Sequence, residues 1–323
     1  MKYGIISDIH RIPVSSVEIA KDMLMEQGVD KLILNGDVGD RKESIPASQN
    51  HLGSILTIVG ESGLETFVQP GSHETLLAFG PVIDHFSDTY PMIDTTKDPK
   101  SEQPDHDLVF LLGSDFLCGG EYEMGNEIPS GRYIKTEKGL LQFETLDQYM
   151  HAIQQGYRQG AMQYANMQDL RDLVTDPDKT VVVCHVPRKF DNLETAVDVA
   201  EFGEATEDFK LGEQEIQKSS IFPGPVAEQV IQAGYPVTLK RENRGNEELR
   251  DLYTELGITK AVTGHFHESF HRAHDLNCNP LPQRQLTDEL FWNASCLDLG
   301  AIGILTVEDN KVAYENLKLH EHL

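Results

Sequence analysis

The amino-acid sequence predicts an α/β fold in which helices alternate with buried strands. Short apolar runs that end in polar residues recur along the chain, at residues 3–7, 31–35, 65–69, 107–112, 180–184 and 259–263. Amphipathic stretches with the period of an α-helix lie between several of these runs, at residues 17–27, 49–59, 225–233 and 246–256. Alternation of this kind is typical of sheets that are covered by helices.

The remaining stretches do not follow this alternation. Residues 290–295, 301–309 and 311–319 read as consecutive strands of a β-meander, the last two joined by a turn at Asp309 and Asn310. Residues 76–179 and 186–258 are rich in acidic residues, Gly and Pro, and we interpret them as insertions over the rim of the sheet. The first is expected to contain a long helix over residues 146–174 and to form a small cap. We expect a single domain over residues 1–323.

The composition disfavours several classes of protein. With 27 basic and 53 acidic residues among 323, the net charge of −26 repels nucleic-acid backbones and anionic lipid. The apolar run at residues 108–112 is far too short to span a bilayer, and no signal peptide is recognised, so we expect a cytoplasmic protein without a membrane partner. The four cysteines form no CxxC pair, which disfavours a thiolate zinc site. The oligomeric state is left open.

Acidic and histidine side chains follow five of the predicted strands. Ligands gather outside the carboxyl ends of the strands in such sheets, and residues i and i+2 of an extended segment point to the same side. Carboxylates and imidazoles without thiolates suit a pair of first-row divalent ions such as Mn, Fe, Co, Ni or Zn. The residues concerned are Asp8 and His10, Asp37 and Asp40, His73 and Glu74, His185, and finally His265 and His267.

Each motif taken alone also has an ordinary structural interpretation. Asp37 and Asp40 lie in a glycine-containing turn, where acidic residues are common without a ligand. His271 and His274 follow the last motif and could enlarge a metal cluster or simply be exposed to solvent. Arg188 lies three residues after His185, where it could bind a substrate phosphate or form a surface ion pair.

As an ordered set, the motifs D-x-H, G-D-x-x-D, G-[N]-H-[DE], an isolated His and G-H-x-H resemble the calcineurin-like metallophosphoesterase superfamily. The pattern is most similar to that of its phosphodiesterase-type branch. The resemblance implies a four-layer α/β/β/α sandwich with rim insertions and two divalent metal ions. It also implies hydrolysis of a phosphate ester, most simply a small phosphodiester, by direct attack of a hydroxide that bridges the ions.

The resemblance also assigns roles to individual residues. Asp8, His10 and His267 resemble the ligands of one metal, His185 and His265 resemble ligands of the other, and Asp37 resembles the carboxylate that bridges both. His73 resembles the histidine that contacts the phosphate and protonates the leaving oxygen, with Glu74 as its orienting partner. Asp40 resembles an acidic residue that contacts the metal ligands and does not bind the metal itself.

One position departs from the family pattern. Ser72 stands where the family has Asn, and a hydroxyl is a shorter and weaker neutral ligand than an amide oxygen. Ser72 could bind the second metal directly, bind it through a water molecule, or change the affinity or identity of that metal.

Two other kinds of function stay open at this point. The chain could be a non-catalytic scaffold or binding module of the same fold, although a scaffold has no physical need for so many polar groups in one cleft. It could also be a phosphomonoesterase or a nuclease of the same superfamily. The net charge argues against long nucleic acid, since the basic cluster at residues 240–244 is interrupted by Glu242.

Overall fold

A computed structural model describes residues 1–10, 12–115 and 120–319. The α-helices within these residues are α1 (Val14–Glu26), α2 (Ile45–Gly60), α3 (Leu76–Ser87), α4 (Leu146–Gln154), α5 (Leu170–Leu173), α6 (Gly224–Gln232) and α7 (Glu247–Leu256).

The strands of the same residues run from near the start of the chain almost to its end. They are β1 (Lys2–Ile6), β2 (Lys31–Asn35), β3 (Glu65–Gln69), β4 (Met92–Asp94), β5 (Lys100–Glu102), β6 (Asp107–Leu111), β7 (Tyr122–Gly125), β8 (Gly131–Thr136), β9 (Gly139–Phe143), β10 (Ala161–Asn166), β11 (Thr180–Cys184), β12 (Val199–Ala205), β13 (Phe209–Leu211), β14 (Gln214–Ile216), β15 (Ile221–Pro223), β16 (Val237–Asn243), β17 (Lys260–Thr263), β18 (Ala273–His274), β19 (Leu290–Asn293), β20 (Ala301–Glu308) and β21 (Lys311–Lys318).

Two six-stranded sheets form the centre of the fold. The first has the order β21-β20-β1-β2-β3-β4, and the second has the order β18-β19-β17-β11-β6-β5. The four strands β1 to β4 are parallel to one another, as are β6, β11, β17 and β19. Parallel strands end at one edge of their sheet, so each sheet presents a row of carboxyl-terminal loops.

The two sheets pack face to face and are covered by helices on their outer faces. Buried side chains of both sheets form the central layer, among them Tyr3, Phe67, Phe110, Val183 and Trp292. The opposite faces pack against α1, α2 and α3 on one side and against α5 and α7 on the other. The predicted four-layer α/β/β/α sandwich is confirmed.

Local sequence accounts for the ends of two of these helices. Ser44 caps α2 by accepting a hydrogen bond from the amide of Ala47, and Pro46 occupies the first turn, where its missing N–H is not needed. Asn246 caps α7 by accepting from the amide of Leu249. Gly257 ends α7 in a left-handed conformation with φ of 72°, which glycine adopts without strain.

The predicted helix over residues 146–174 is wrong. The helix α4 ends at Gln154, and Gly156 follows with φ of 106°, a conformation that does not continue a helix. Residues 161–166 then form β10, which pairs with β7 and β8 in a separate four-stranded sheet. Most residues of β10 are buried. The hydrophobic period of such a run does not by itself distinguish a strand from a helix.

The two predicted insertions are also narrower than expected. Within residues 76–179, α3 packs on α2, and β6 lies between β5 and β11 in the second sheet, so both belong to the sandwich. Within residues 186–258, α7 covers the second sheet, whereas β12, β15, β16 and α6 form a small unit with its own apolar core. The role of these additions in choosing a substrate stays a prediction.

The predicted C-terminal meander is correct only for its last two strands. The hairpin β20–β21 turns at Asp309 and Asn310, which both have positive φ. The preceding strand, β19, pairs with β17 in the other sheet, so the chain crosses between the sheets over residues 294–300. Among the described residues, no helix is long and apolar enough to cross a membrane.

We predict that Gly303→Ala destabilises the protein by about 1–3 kcal/mol. Gly303 lies in β20, and a Cβ atom there would come within 2.4 Å of Cζ2 of the buried Trp292. Chemical denaturation measures the change in the free energy of unfolding. The matched control is Gly80→Ala in α3, where a Cβ meets nothing within 4 Å. This control is expected to be neutral or slightly stabilising, because Ala favours helix. Equal effects of the two substitutions would contradict the packing described here.

Candidate metal centre

The residues that the sequence singles out lie in loops that follow parallel strands of both sheets. Asp8 and His10 follow β1, and Asp37 follows β2. His185 follows β11 and His265 follows β17, so these two side chains come from the second sheet. The carboxyl-terminal edges of the two sheets therefore meet at one site.

Four of these residues have a left-handed backbone. The φ angles are 52° for Asp8, 43° for His10, 50° for Asp37 and 69° for His265. Non-glycine residues adopt this conformation rarely, and such strain concentrates at functional sites. Hydrogen bonds between the loops hold it in place, since the amide of Ile9 donates to the carbonyl of Asp37 at 2.8 Å.

Potential metal ligands form three overlapping sets. In each set, one nitrogen or carboxylate oxygen per residue lies within 4.8 Å of the others. His10 belongs to two of the sets, and so does Asp37, which makes the sets a continuous row of donor atoms. The sets are Asp8, His10 and His267; His10, Asp37 and His73; and Asp37, His185 and His265.

The burial of these groups fits a bound cation. Asp8 is 0% exposed and Asp37 is 2% exposed, and a carboxylate removed from water needs a positive partner. His185 Nδ1 lies 2.9 Å from the carbonyl of Asn35 and donates to it. Its Nε2, 3.2 Å from Asp37 Oδ2, has no hydrogen-bond partner among the described residues. An imidazole held by one nitrogen, with the other turned toward carboxylates, is typical of a metal ligand.

Three glycines leave the space in which these side chains meet. A Cβ atom on Gly36 would lie 2.3 Å from Nδ1 of His185, and one on Gly71 would lie 2.5 Å from Oδ1 of Asp37. A Cβ atom on Gly264 would lie 2.7 Å from Oδ2 of Asp8. The glycines in the three motifs are therefore required by close approach as well as by turns.

The pKa values of the histidines in the cluster indicate that a metal ion would displace protons when it binds. Burial lowers the pKa of His185, but the charges of Asp37 and Asp8 raise it more, to about 9. Burial and the neighbouring His185 lower the pKa of His265 to about 3, so this ring is ready to bind a metal in its neutral form. Because ligands bind in their deprotonated form, metal binding here is expected to release protons.

The hydroxyl of Ser72 contacts a carboxylate of the cluster. Ser72 Oγ donates to Asp37 Oδ2 at 2.8 Å, and the residue is 2% exposed. This geometry supports a role in orienting Asp37. Direct coordination of a metal by Ser72 stays a prediction.

Of the two acidic residues near His73, Glu74 has contacts different from those expected. Glu74 does not orient the ring, because its carboxylate accepts hydrogen bonds from the amides of Gly39 at 3.0 Å and Gly71 at 2.7 Å. It thereby joins the two loops that follow β2 and β3. Asp40 is the partner instead, with Oδ1 3.4 Å from His73 Nδ1.

Arg188 is buried rather than engaged in a surface ion pair. Its guanidinium stacks on Phe190 at 4.6 Å and on Phe291 at 5.3 Å, and the residue is 8% exposed. Contact of this residue with a substrate phosphate stays a prediction.

His271 and His274 are engaged with the backbone and belong to none of the three ligand sets. His271 Nε2 lies 3.0 Å from the carbonyl of Ile302. His274 Nδ1 lies 2.7 Å from the carbonyl of Asp275, and Nε2 lies 3.3 Å from the amide of Val197. Both histidines are partly or fully buried, so the expectation of solvent-exposed rings is wrong for His274.

The residues that follow β19 also contact the cluster, although the sequence motifs do not include them. Ser295 Oγ accepts from the amide of Ser7, whose own hydroxyl donates to Asp8 Oδ2 at 2.6 Å. The next residue, Cys296, is 1% exposed, and its amide donates to the carbonyl of Ala301 at 3.1 Å. These residues lie at the carboxyl end of a strand that is parallel to β17, and the strand-end rule would have found them had β19 been placed in the correct sheet.

Comparisons with known proteins reveal a similarity of fold and none of sequence. The sequence matches no protein-family model and no curated protein. The structure is similar to TT1561 of Thermus thermophilus, with a TM-score of 0.50 and 10% identity over 98% of each chain. A second crystal structure has a TM-score of 0.50 and 13% identity, over 97% of this chain and 98% of the other. A dimetal phosphatase from Danio rerio has a TM-score of 0.46 and 11% identity over 98% of each chain.

We predict that Asp37→Asn lowers the affinity for divalent metal by at least about tenfold while the protein stays folded. The substitution removes the charge that two ligand sets share, and Asn tolerates the left-handed backbone at this position. Equilibrium dialysis against Mn²⁺ with elemental analysis measures the affinity. Asp98→Asn, at an exposed position, is the matched control and should bind metal like the parent protein. Equal affinities of all three proteins would exclude Asp37 as a ligand.

We also predict that the free energy of unfolding falls as the pH is lowered from about 6.5 toward 4, in part because of His274. Burial lowers the pKa of His274 to about 4, so below pH 6.5 the unfolded chain binds a proton that the folded protein does not. Urea denaturation at several pH values measures the slope, to which one such histidine contributes up to about 1.4 kcal/mol per pH unit.

His274→Gln is expected to make that slope shallower, whatever it does to stability at neutral pH. The comparison is His85→Gln, which alters an exposed histidine and should leave the slope unchanged. If His274→Gln and the parent protein have parallel pH profiles, the neutral buried ring is not the source of the effect.

Proposed function

We propose that this protein is a metal-dependent hydrolase of phosphate esters and that its substrate is a small phosphodiester. The observation that carries the proposal is the row of overlapping ligand sets, in which Asp37 and His10 are each shared. Such sharing suits two ions held close together, as in dinuclear sites that bind a phosphoryl group.

The ligand sets suggest how two ions would be held. Asp8, His10 and His267 would bind one ion, and Asp37 with His185 and His265 would bind the other. Divalent ions in such a site withdraw charge from a phosphate group and make a water molecule acidic enough to attack it. The identity of the metal is open among Mn, Fe, Co, Ni and Zn, because imidazole and carboxylate ligands suit all of them.

His73 is placed to handle a proton of the reaction. Its side chain is 31% exposed, so the ring borders both the ligand cluster and solvent. Burial lowers the pKa of His73, but its hydrogen bond to Asp40 and the charge of Asp37 raise it overall. With Nδ1 held by Asp40, Nε2 is the nitrogen that can donate a proton to the leaving oxygen.

The choice of a small phosphodiester rests on two supports. The net charge of −26 disfavours a long polyanionic substrate, and the order of the motifs resembles the phosphodiesterase-type branch more than the protein phosphatases. The cytoplasmic location expected from the sequence stays a prediction.

The decisive experiment compares hydrolysis of bis-p-nitrophenyl phosphate with that of p-nitrophenyl phosphate. The protein is first treated with a chelator, and then Mn²⁺, Co²⁺, Ni²⁺, Zn²⁺ or Mg²⁺ is added singly. We expect turnover to return with a transition metal and to favour the diester. Faster hydrolysis of the monoester would make the protein a phosphomonoesterase. Metal binding without turnover of either ester would favour the non-catalytic alternative.

We predict that His73→Gln lowers kcat for bis-p-nitrophenyl phosphate by about 10²- to 10⁴-fold, the usual contribution of a positioned general acid. The metal content should stay close to that of the parent protein if His73 acts on the substrate. The control is His85→Gln, which replaces an exposed histidine of α3 and should leave kcat unchanged. An unchanged kcat in His73→Gln would remove this residue from the mechanism.

A further inference from the structure

A large cavity lies beside the candidate metal centre. Its volume is about 790 Å³, and it is formed by the segment after β2, the start of α2 and the sheet that contains β7, β8 and β10. A cavity of this size can hold a small molecule. No residue of the three ligand sets lines this cavity, so metal binding does not explain why the cavity is there.

The cavity concentrates basic side chains in a strongly acidic protein. Arg41, Lys42, Lys135 and Arg158 line it. The chain contains 27 basic residues against 53 acidic ones, so four basic residues in the lining of one cavity are a local enrichment.

Three acidic residues also line the cavity, but two of them are engaged with neighbouring groups. Glu123 pairs with Lys135 at 2.7 Å, and Glu121 accepts a hydrogen bond from the amide of Leu76 at 2.9 Å. Burial raises the pKa of Glu121, while the charges of Arg158 and Arg41 act to lower it. Arg41 and Arg158 both line the cavity together with Glu121, and guanidinium groups bind phosphate through charge-assisted hydrogen bonds.

Contacts connect residues that line the cavity with His73 and with Ser72, the residue before it. Lys42 Nζ lies 3.2 Å from Asp40 Oδ2, and Asp40 Oδ1 lies 3.4 Å from His73 Nδ1. On the other side, the amide of Gly120 donates to the carbonyl of Ser72 at 2.8 Å. The lining residue Lys42 is therefore linked through Asp40 to His73, the residue proposed above to protonate the leaving oxygen.

The walls also indicate what kind of molecule fits. Among the described residues that line the cavity, none is aromatic, and most are charged, polar or glycine. An anionic, hydroxylated group would find hydrogen-bond donors on these side chains.

We propose that this cavity is a subsite for a second phosphate group, so that the substrate is a small phosphodiester whose leaving part carries a further phosphate. The inference rests on the proposed function for the position of the scissile phosphate. Arg158 is the residue chosen to test this, because it lines the cavity, whereas Lys42 is paired with Asp40 and Lys135 with Glu123.

The test uses inhibitors that differ only in the second phosphate. Monophosphates and α,ω-bisphosphates of three-, five- and eight-carbon diols are compared as competitors of bis-p-nitrophenyl phosphate in the Mn²⁺-loaded protein. We expect at least one bisphosphate to bind about tenfold more tightly than its monophosphate, a difference typical of one charge-assisted contact. In Arg158→Gln this ratio should fall to within twofold.

Arg158→Lys keeps the charge and should retain part of the preference, which separates loss of a contact from misfolding. Lys210→Gln is the matched control for lost charge, since Lys210 is exposed on β13 and does not line the cavity. The subsite proposal is wrong if the wild-type protein binds the bisphosphate and the monophosphate equally well at every diol length. It is also wrong if Arg158→Gln leaves the ratio of the two affinities unchanged.

Direct calorimetric titration separates this inference from the proposed function. If no ester is hydrolysed but the bisphosphate still binds tightly and loses that affinity in Arg158→Gln, the subsite stands and the proposed reaction fails. If esters are hydrolysed without any bisphosphate preference, the reaction stands and the subsite fails.

Discussion

Asp8 and Asp37 place two carboxylates in the interior of the protein, next to each other and almost entirely removed from water. A pair of buried negative charges is stable only with positive partners close by. Three imidazoles from the opposite sheet, one from the same loop as Asp8 and one from the loop after β3 surround them. Much of the local structure serves this arrangement: glycines at positions 36, 71 and 264 make room for it, and hydroxyl and amide donors from Ser7, Ser72 and His73 fix the oxygens.

The sequence allowed much of this to be predicted, because the strand-end rule depends only on short apolar runs and the residues that follow them. Asp8, Asp37, His185 and His265 all lie where that rule expects them. The rule does not contain side-chain direction. Whether Glu74 or Asp40 meets His73 depends on which amides are free near Gly39 and Gly71, and that is decided by the packing of two loops that are distant in sequence.

Two other predictions were wrong because the spacing of apolar residues does not specify which strands pair, or whether a short segment is a strand or a helix. A strand such as β19 has the same pattern whichever sheet it joins, so its neighbours could not be read from its residues. Residues 161–166 continue the apolar spacing of α4, and only the left-handed Gly156 and the pairing with β7 and β8 make them a strand. These errors did not affect the predicted ligand positions, because those positions depend only on where a strand ends. The neighbours of a strand in its sheet depend instead on the whole fold.

The crossing of the chain over residues 294–300 has a mechanical consequence. This segment is bonded to Ser7 and Asp8 through the amides of Leu297 and Asp298, so the second sheet is tied to the first at the very loop that carries a ligand. Ions held between Asp8 or Asp37 and the histidines of the other sheet would act as a further cross-link between the two halves of the sandwich. Small sliding movements of one sheet over the other would then change the separation of the ions, and the stiffness of the apolar interface between the sheets would set how closely that separation is maintained.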